Sequence, residues 1–371
     1  MSCKWLVDMK RVVYQKSKEL FTSMRLRRWK RALVSNAKRK RRRQLLHSNR
    51  QMVRLLAPKY FFLHQPDTRK RVIAFLSSLR QAYTTKNVSI CLDFRRTEKL
   101  FACATLLLVA ELDRLRRLFP MVQLRTHLPQ DHIARQVLQQ IGFLKLVGHR
   151  HVQLQDNFDK SVRYWRYATG HQIDPSRIGE DVWSAMDGLI TPALSRSMYK
   201  GISEAMTNSV HHAYVEPRGD GINVSNVEKR WWMFSQELDG HLHVAICDLG
   251  IGIQRSLPRE EETTPGFMQQ LDKFLALFQG DKREVAMIKA AIEIGKTRTG
   301  LSNRGKGLRQ IVDAIMQAGD SASMIISSNS GAYRVESASS QKVGKETLIQ
   351  YTDSIMGTLI QWKVPVNSQE A

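Results

Sequence analysis

Glu204 and Asn208 lie four residues apart in the stretch ISEAMTNSVHHAY, Ile202 to Tyr214. Ile202, Ala205, Met206, Ser209, Val210 and Ala213 recur at helical spacing and make an apolar or small face. On such a helix, residues four apart share one side. The carboxylate can polarise a water or a hydroxyl for attack on a phosphate. One turn later, the carboxamide offers a neutral oxygen to a hard cation such as Mg²⁺. The same pair could instead be a hydrogen bond between neighbours on a solvated helix. Three further segments carry matching chemistry. DLGIG, Asp248 to Gly252, closes an apolar strand. There Asp248 can accept a hydrogen bond from an exocyclic amine, as adenine offers, while Gly250 and Gly252 permit unusual backbone angles and close approach. NRGKGL, Asn303 to Leu308, opens a helix. Its Gly305 and Gly307 expose N–H groups where the helix dipole favours phosphate, and Arg304 and Lys306 add positive charge. Gly357-Thr358 opens the last strand, where the Thr358 hydroxyl can complete hydrogen bonding around the base.

The elements that must position these residues are legible in outline. Residues 1–56 alternate basic and apolar residues with no Gly or Pro, which predicts a basic helical arm or hairpin. From Pro58 the pattern becomes α/β. TRKRVIAFLSSLRQAY predicts an amphipathic helix, NVSICLDF (Asn87 to Phe94) a strand, and EKLFACATLLLVAELDRLRRLF a long helix ended by Pro120. MVQLRTH predicts a second strand and QDHIARQVLQQIGF another helix. Strand–helix alternation with short links implies neighbouring parallel strands covered by helices. Residues 152–175 read as a connector. Two strands then flank Asp239-Gly240, a strong hairpin signal, with Trp231 and Trp232 on opposite faces, one packed inward and one facing out. After Gly300 come a loop, the helix RQIVDAIMQAG and three or four strands.

Bulk properties bound the partners. The 371 residues suggest two domains. The longest apolar stretch, Leu100 to Leu112, is too short to span a bilayer and reads as a core helix, so no transmembrane helix is expected. No secretory signal is expected either. Cys3, Cys91, Cys103 and Cys247 are scattered without a CxxC, which argues against disulfides and zinc and fits a reducing cytoplasm. His211 and His212 have no partners at metal-ligand spacing. Net charge is +24, concentrated at the start. Residues 1–50 hold 17 Lys or Arg against Asp8 and Glu19, a net of +15, peaking in KRKRRR at Lys38 to Arg43. Such a block attracts a polyanion, with nucleic acid the first partner to consider and an anionic membrane surface the second.

Taken in order, the segments containing Glu204/Asn208, Asp248–Gly252, Asn303–Leu308 and Gly357-Thr358 resemble the four nucleotide-binding boxes of the GHKL ATPases. That superfamily includes gyrase, Hsp90, histidine kinases and mismatch repair proteins. EAMTNSVHHAY is most similar to the anti-sigma-factor serine kinases. The resemblance spans roughly Pro175 to Pro365. It implies an α/β sandwich over residues 176–371, a mixed sheet with helices on one face, that binds ATP with Mg²⁺. Glu204 would then be catalytic and Asn208 would ligate the metal. Asp248, Gly250, Gly252, Arg304, Gly305, Lys306, Gly307, Leu308 and Thr358 would line the nucleotide. Residues 57–151, on ICLDFRRT and LQQIGFLKLV, resemble a STAS-like domain, the α/β module of anti-anti-sigma factors. In that family a Ser or Thr after the strand-end Asp is a phosphorylation target. Here Asp93 is followed by Phe94, Arg95, Arg96 and only then Thr97, a departure from the family's spacing.

Two functions follow as expectations. One is an ATPase, or a serine or histidine kinase-like phosphotransferase acting on a protein substrate. Its lid would run from Gln254 to Asn303 through TRTGLSN, and the STAS-like half would be a fused regulatory module. The other is an ATP-gated protein that grips nucleic acid through the arm at 1–56, with little or no turnover. A sensor histidine kinase fits less well, because His47 lacks the neighbours of a phosphoacceptor helix.

Overall fold

The computed structural model describes residues 51–148, 158–163, 165–172, 190–222, 228–262, 266–278, 283–294, 307–317, 321–337 and 344–366. The chain divides into two units, Met1–Met52 and Val53–Ala371. All but Gln51 and Met52 of the first unit, and so nearly all of the expected arm, lie outside the described residues. The last residues of the span expected as helical, however, are not helical. Gln51–Leu56 is a strand, β1, in which Val53 and Leu55 pack against the core. Period-two alternation with Arg54 and Leu56 decides this, not the lack of Gly and Pro.

Next come β2 (Tyr60–Phe61), α1 (Pro66–Thr84), β3 (Val88–Asp93), β4 (Lys99–Leu100) and α2 (Ala102–Leu118). They are followed by β5 (Gln123–His127), α3 (His132–Gln140) and α4 (Phe143–Leu146). Strands β1, β3 and β5 form a sheet in the order β1-β3-β5, with β3 and β5 parallel. A parallel pair needs a crossover, and α2 supplies it. Pro66 and Asp67 occupy the first turn of α1, where a missing N–H costs nothing and a carboxylate meets the positive end of the dipole. Helix α2 is buried on all sides from Cys103 to Leu115, as its apolar composition predicts.

The second half contributes α5 (Lys160–Arg163), β6 (Arg166–Gly170), α6 (Pro192–His211), β7 (Trp231–Leu238) and β8 (His241–Asp248). Then come α7 (Ile253–Ser256), a 3₁₀ turn (Leu257–Glu262), α8 (Phe267–Leu275), α9 (Arg283–Ile294) and α10 (Gly307–Gln317). The chain closes with β9 (Ser323–Ser328), β10 (Gly331–Glu336), β11 (Lys345–Gln350) and β12 (Thr358–Pro365). Seven strands form one sheet in the order β11-β10-β9-β12-β8-β7-β6. Asp239 (φ 51°) and Gly240 (φ 69°) make the predicted two-residue hairpin between β7 and β8.

Three expectations change here. Every neighbouring pair in this sheet is antiparallel, so it is not mixed. The stretch read as a connector contains β6, which pairs with β7 at the sheet edge. Helices also cover both faces rather than one. Trp231 is 4% exposed and Trp232 2%, although they point to opposite sides. Trp231 joins a core with Met198, Ile202 and Met206 of α6 and Val312 and Ile315 of α10. Trp232 joins Leu106, Leu108 and Leu112 of α2 in the core built around β3, and its indole N–H donates to Asp113 at 3.1 Å. Helix α2 is what closes the second face, so residues from both halves of 53–371 meet in that core.

Candidate functional site

Cross-strand register lines up four residues at one end of the large sheet. Asp248 pairs with Trp231 on one side and Thr358 on the other, and Thr358 pairs with Ser328. Directly opposed residues in antiparallel strands share a face. Trp231 lies in the core beneath α6 and α10, so Asp248, Thr358 and Ser328 also project to that side. The Ser328 and Thr358 hydroxyls are 3.4 Å apart, and Ser328 accepts the Ile253 N–H at 2.8 Å.

Helix α6 is tied to this row. Thr191 caps its start by accepting the Leu194 N–H, and Pro192 follows at the first helical position. At its far end, the Ala213 carbonyl accepts the Ile251 N–H at 2.8 Å. The Tyr214 hydroxyl accepts the Leu249 N–H at 3.0 Å and donates to the Arg230 carbonyl at 2.5 Å. The segment carrying Glu204 and Asn208 is thus bonded to the segment carrying Asp248. Ile202, Ala205, Met206 and Ser209 are buried, while Glu204 and Asn208 sit half-buried on the flank. Among the described residues the Asn208 carboxamide forms no hydrogen bond.

Asp248 has an unusual environment for a carboxylate. Burial lifts its carboxyl to about 6, against the N–H groups of Gly250 and Thr358, the more distant Arg218 charge and Ser209, which all lower it. The Gly250 N–H donates to Oδ1 at 2.9 Å. Among the described residues no cation forms an ion pair with it. A buried carboxylate held only by neutral donors is suited to receive another donor.

The glycines serve a purpose not expected from the sequence. A Cβ on Gly250 would lie 2.2 Å from the Ala213 carbonyl oxygen, and one on Gly252 (φ 79°) would meet the Asn329 side chain at 2.4 Å. Both positions are therefore required by packing of the loop on its own chain. Gly307 opens α10, which packs along α6, and Leu308 is partly buried in the same core. Arg304, Gly305 and Lys306 lie outside the described residues, as does TRTGLSN. The described part of the expected lid is mainly helical. Phe267 and Leu271 of α8 pack with Met287, Ala290 and Ile294 of α9 in a small core of their own.

No protein-family model matches the chain, and comparison with curated proteins returns no match. No helix among the described residues is long and apolar enough to cross a membrane. None of their His, Cys, Asp and Glu side chains cluster in threes that could hold a metal.

Sequence reasoning passed over Asn329. Its Nδ2 donates to the Ile251 carbonyl at 3.0 Å, and its Oδ1 accepts the Gly357 N–H at 3.2 Å. One turn residue (φ 51°) therefore joins the Asp248–Gly252 loop to the Gly357-Thr358 segment. The Asn-Ser-Gly turn between two strand-like runs was its only signal. Thr97 is 1% exposed, and its hydroxyl donates to the Pro58 carbonyl at 2.9 Å. Phosphorylation there would break this bond and force a dianion into a packed interior. Thr97→Ala is expected to cost about 1–2 kcal/mol, read by urea unfolding. No loss of stability would show that the bond is not formed.

Proposed function

We propose that residues 176–371 bind Mg·ATP and cleave or transfer its γ-phosphate, in the manner of the GHKL ATPases that the sequence resembles. The observation that carries this is the convergence of separated segments. Asp248 and Thr358 share one row across the sheet, and Ala213 and Tyr214, just past the helix bearing Glu204 and Asn208, are hydrogen-bonded to the loop that follows Asp248. The donor set fits the ligand at both ends. Asp248 is a buried acceptor for the exocyclic amine, with the Thr358 hydroxyl beside it. Asn208 is a neutral oxygen ligand that leaves most of the cation's coordination to phosphates and water, as Mg²⁺ prefers. The cation would supply charge neutralisation on the phosphates. Glu204 would accept the proton of the attacking water or hydroxyl, and the start of α10 would face the phosphates with its N–H groups. The test is incubation of the purified chain with γ-labelled ATP and Mg²⁺. Label on free phosphate identifies an ATPase, and label on protein a phosphotransferase. Binding without either outcome would favour an ATP-gated binder, and no binding would refute the proposal.

The charge of the N-terminal segment supports a second, separable activity in nucleic-acid binding. Deleting residues 1–50 should leave ATP affinity unchanged and lower affinity for unrelated DNA duplexes more than about tenfold near 0.1 M salt, since phosphate contacts release counterions. Little base preference is expected. Equal DNA affinity with and without the segment would remove this role, and binding only to anionic vesicles would reassign it.

A further inference from the structure

Five charged side chains are buried together where α1 and α2 meet the segment after α6. Arg80, Glu111, Arg114, Arg218 and Asp220 each have side chains less than a tenth exposed. Glu111 accepts from Arg80 at 3.1 Å, Arg114 at 3.0 Å and Arg218 at 2.8 Å, while Asp220 accepts from Arg114 at 2.6 Å and Arg218 at 3.4 Å. Burial alone would raise the Glu111 carboxyl, but the three guanidiniums overcome it and hold it at about 2. Such clusters commonly add no more stability than apolar residues of the same volume. Their geometry, however, is highly specified, because each guanidinium is a rigid fork.

Arg218 carries that geometry to the candidate site. With Nη1 held by Glu111, its Nε donates to the Met356 carbonyl at 2.8 Å and its Nη2 reaches the Ile355 carbonyl at 3.5 Å. The backbone it grips is a strap in uncommon conformations, with Met356 at φ 55° and Gly357 at φ 138°. A non-glycine residue at positive φ persists only where its surroundings over-determine it. Here Asn329 holds the strap on one side, through the Ile355 N–H, the Gly357 N–H and the Gly357 carbonyl, and Arg218 holds its carbonyls. The strap leads directly into Thr358, paired with Asp248.

We propose that Arg218, anchored by Glu111 of the N-terminal half, is a positioning residue that sets the Ile355–Gly357 strap and with it the base-binding row of Asp248 and Thr358. This rests on the nucleotide reading above. It makes α2 an integral support of the site, not only a cover for the sheet. It also gives the buried charge cluster a role beyond stability, which apolar residues of the same volume could supply.

The test uses the full chain with Arg218→Lys, which keeps the charge and loses the fork. Thermal unfolding confirms the folded state, and Glu111→Gln serves in its place if the lysine variant does not fold. Hydrogen exchange without nucleotide should quicken at least about tenfold in residues 351–360, with β9 and β10 unchanged. Affinity should fall about tenfold, by the same factor for adenosine, ADP and ATP with Mg²⁺, because the strap serves the base and not the phosphates. KM should rise with kcat unchanged. Unchanged strap exchange would overturn the proposal, as would a loosened strap with wild-type affinity for adenosine. If the wild type binds none of the three ligands, the nucleotide reading itself fails and this proposal with it, and strap exchange still reports whether Arg218 holds the segment.

Discussion

Glu204→Ala is expected to bind Mg·ATP within a few-fold of wild type and to lose about 10²–10⁴-fold in turnover, the usual value of a positioned general base. The substitution should be mild for the fold. Glu204 is half-buried on the flank of α6, its neighbours Ala205 and Met206 make the core contacts, and alanine is the best helix former. Retained binding with lost turnover separates a role in the chemical step from a role in affinity. Calorimetric titration with Mg·ATP, followed by single-turnover release of labelled phosphate, measures both. Wild-type turnover would return the Glu204–Asn208 pair to an ordinary helix contact. Loss of binding would make Glu204 structural.

Asp248→Asn should weaken adenine-nucleotide binding by roughly ten- to a hundredfold, the loss of about 1.5–3 kcal/mol for a charged hydrogen bond to a buried donor. It should also make the protein more stable at pH 7. Burial holds the folded carboxyl at about 6, above its ordinary 3.8. Below about pH 4 both folded and unfolded chains keep the proton, and no penalty exists. Between about pH 4 and 6 the unfolded chain releases a proton that the folded chain retains, so stability falls as pH rises. Above pH 6 the full cost persists, on the order of 3 kcal/mol. Asparagine carries no charge to desolvate but cannot accept both backbone N–H bonds, so a net gain of about 1–2 kcal/mol is expected. Urea unfolding should show this gain at pH 7 and little of it at pH 4. Unchanged nucleotide affinity in the folded variant would remove Asp248 from the site. A variant less stable at pH 7 would show that the carboxylate carries no such penalty.

What could be read from the chain was whatever local periodicity and turn chemistry encode. The spacing of Ile202, Ala205, Met206 and Ser209 specifies a helix with Glu204 and Asn208 on its flank, and α6 has that form. Asp239-Gly240 specifies a hairpin because only residues tolerant of positive φ close a two-residue loop, and β7 and β8 follow. Asp248 ends its strand as the pattern predicts. The composition of α2 marks a helix buried all round, but not what surrounds it.

The partners were decided in three dimensions. Trp231 and Trp232 predict one buried and one exposed side chain only if the sheet has a single covered face. Helix α2, from more than a hundred residues earlier in the chain, closes the other face and buries both. The short strand β6 carries no clear alternation and becomes a strand by pairing with β7 at the sheet edge. Gly250 and Gly252 are legible as glycines, yet only the folded loop shows that Ala213 and Asn329 occupy the space a Cβ would need. Arg218 had no sequence signal at all. An arginine in a polar loop is ordinary until Glu111, 107 residues earlier, and the Met356 carbonyl, 138 residues later, converge on it. Local sequence sets φ, ψ and side-chain period over a few residues. Which distant surface each face meets, and hence which charges are desolvated together, depends on packing of the whole chain.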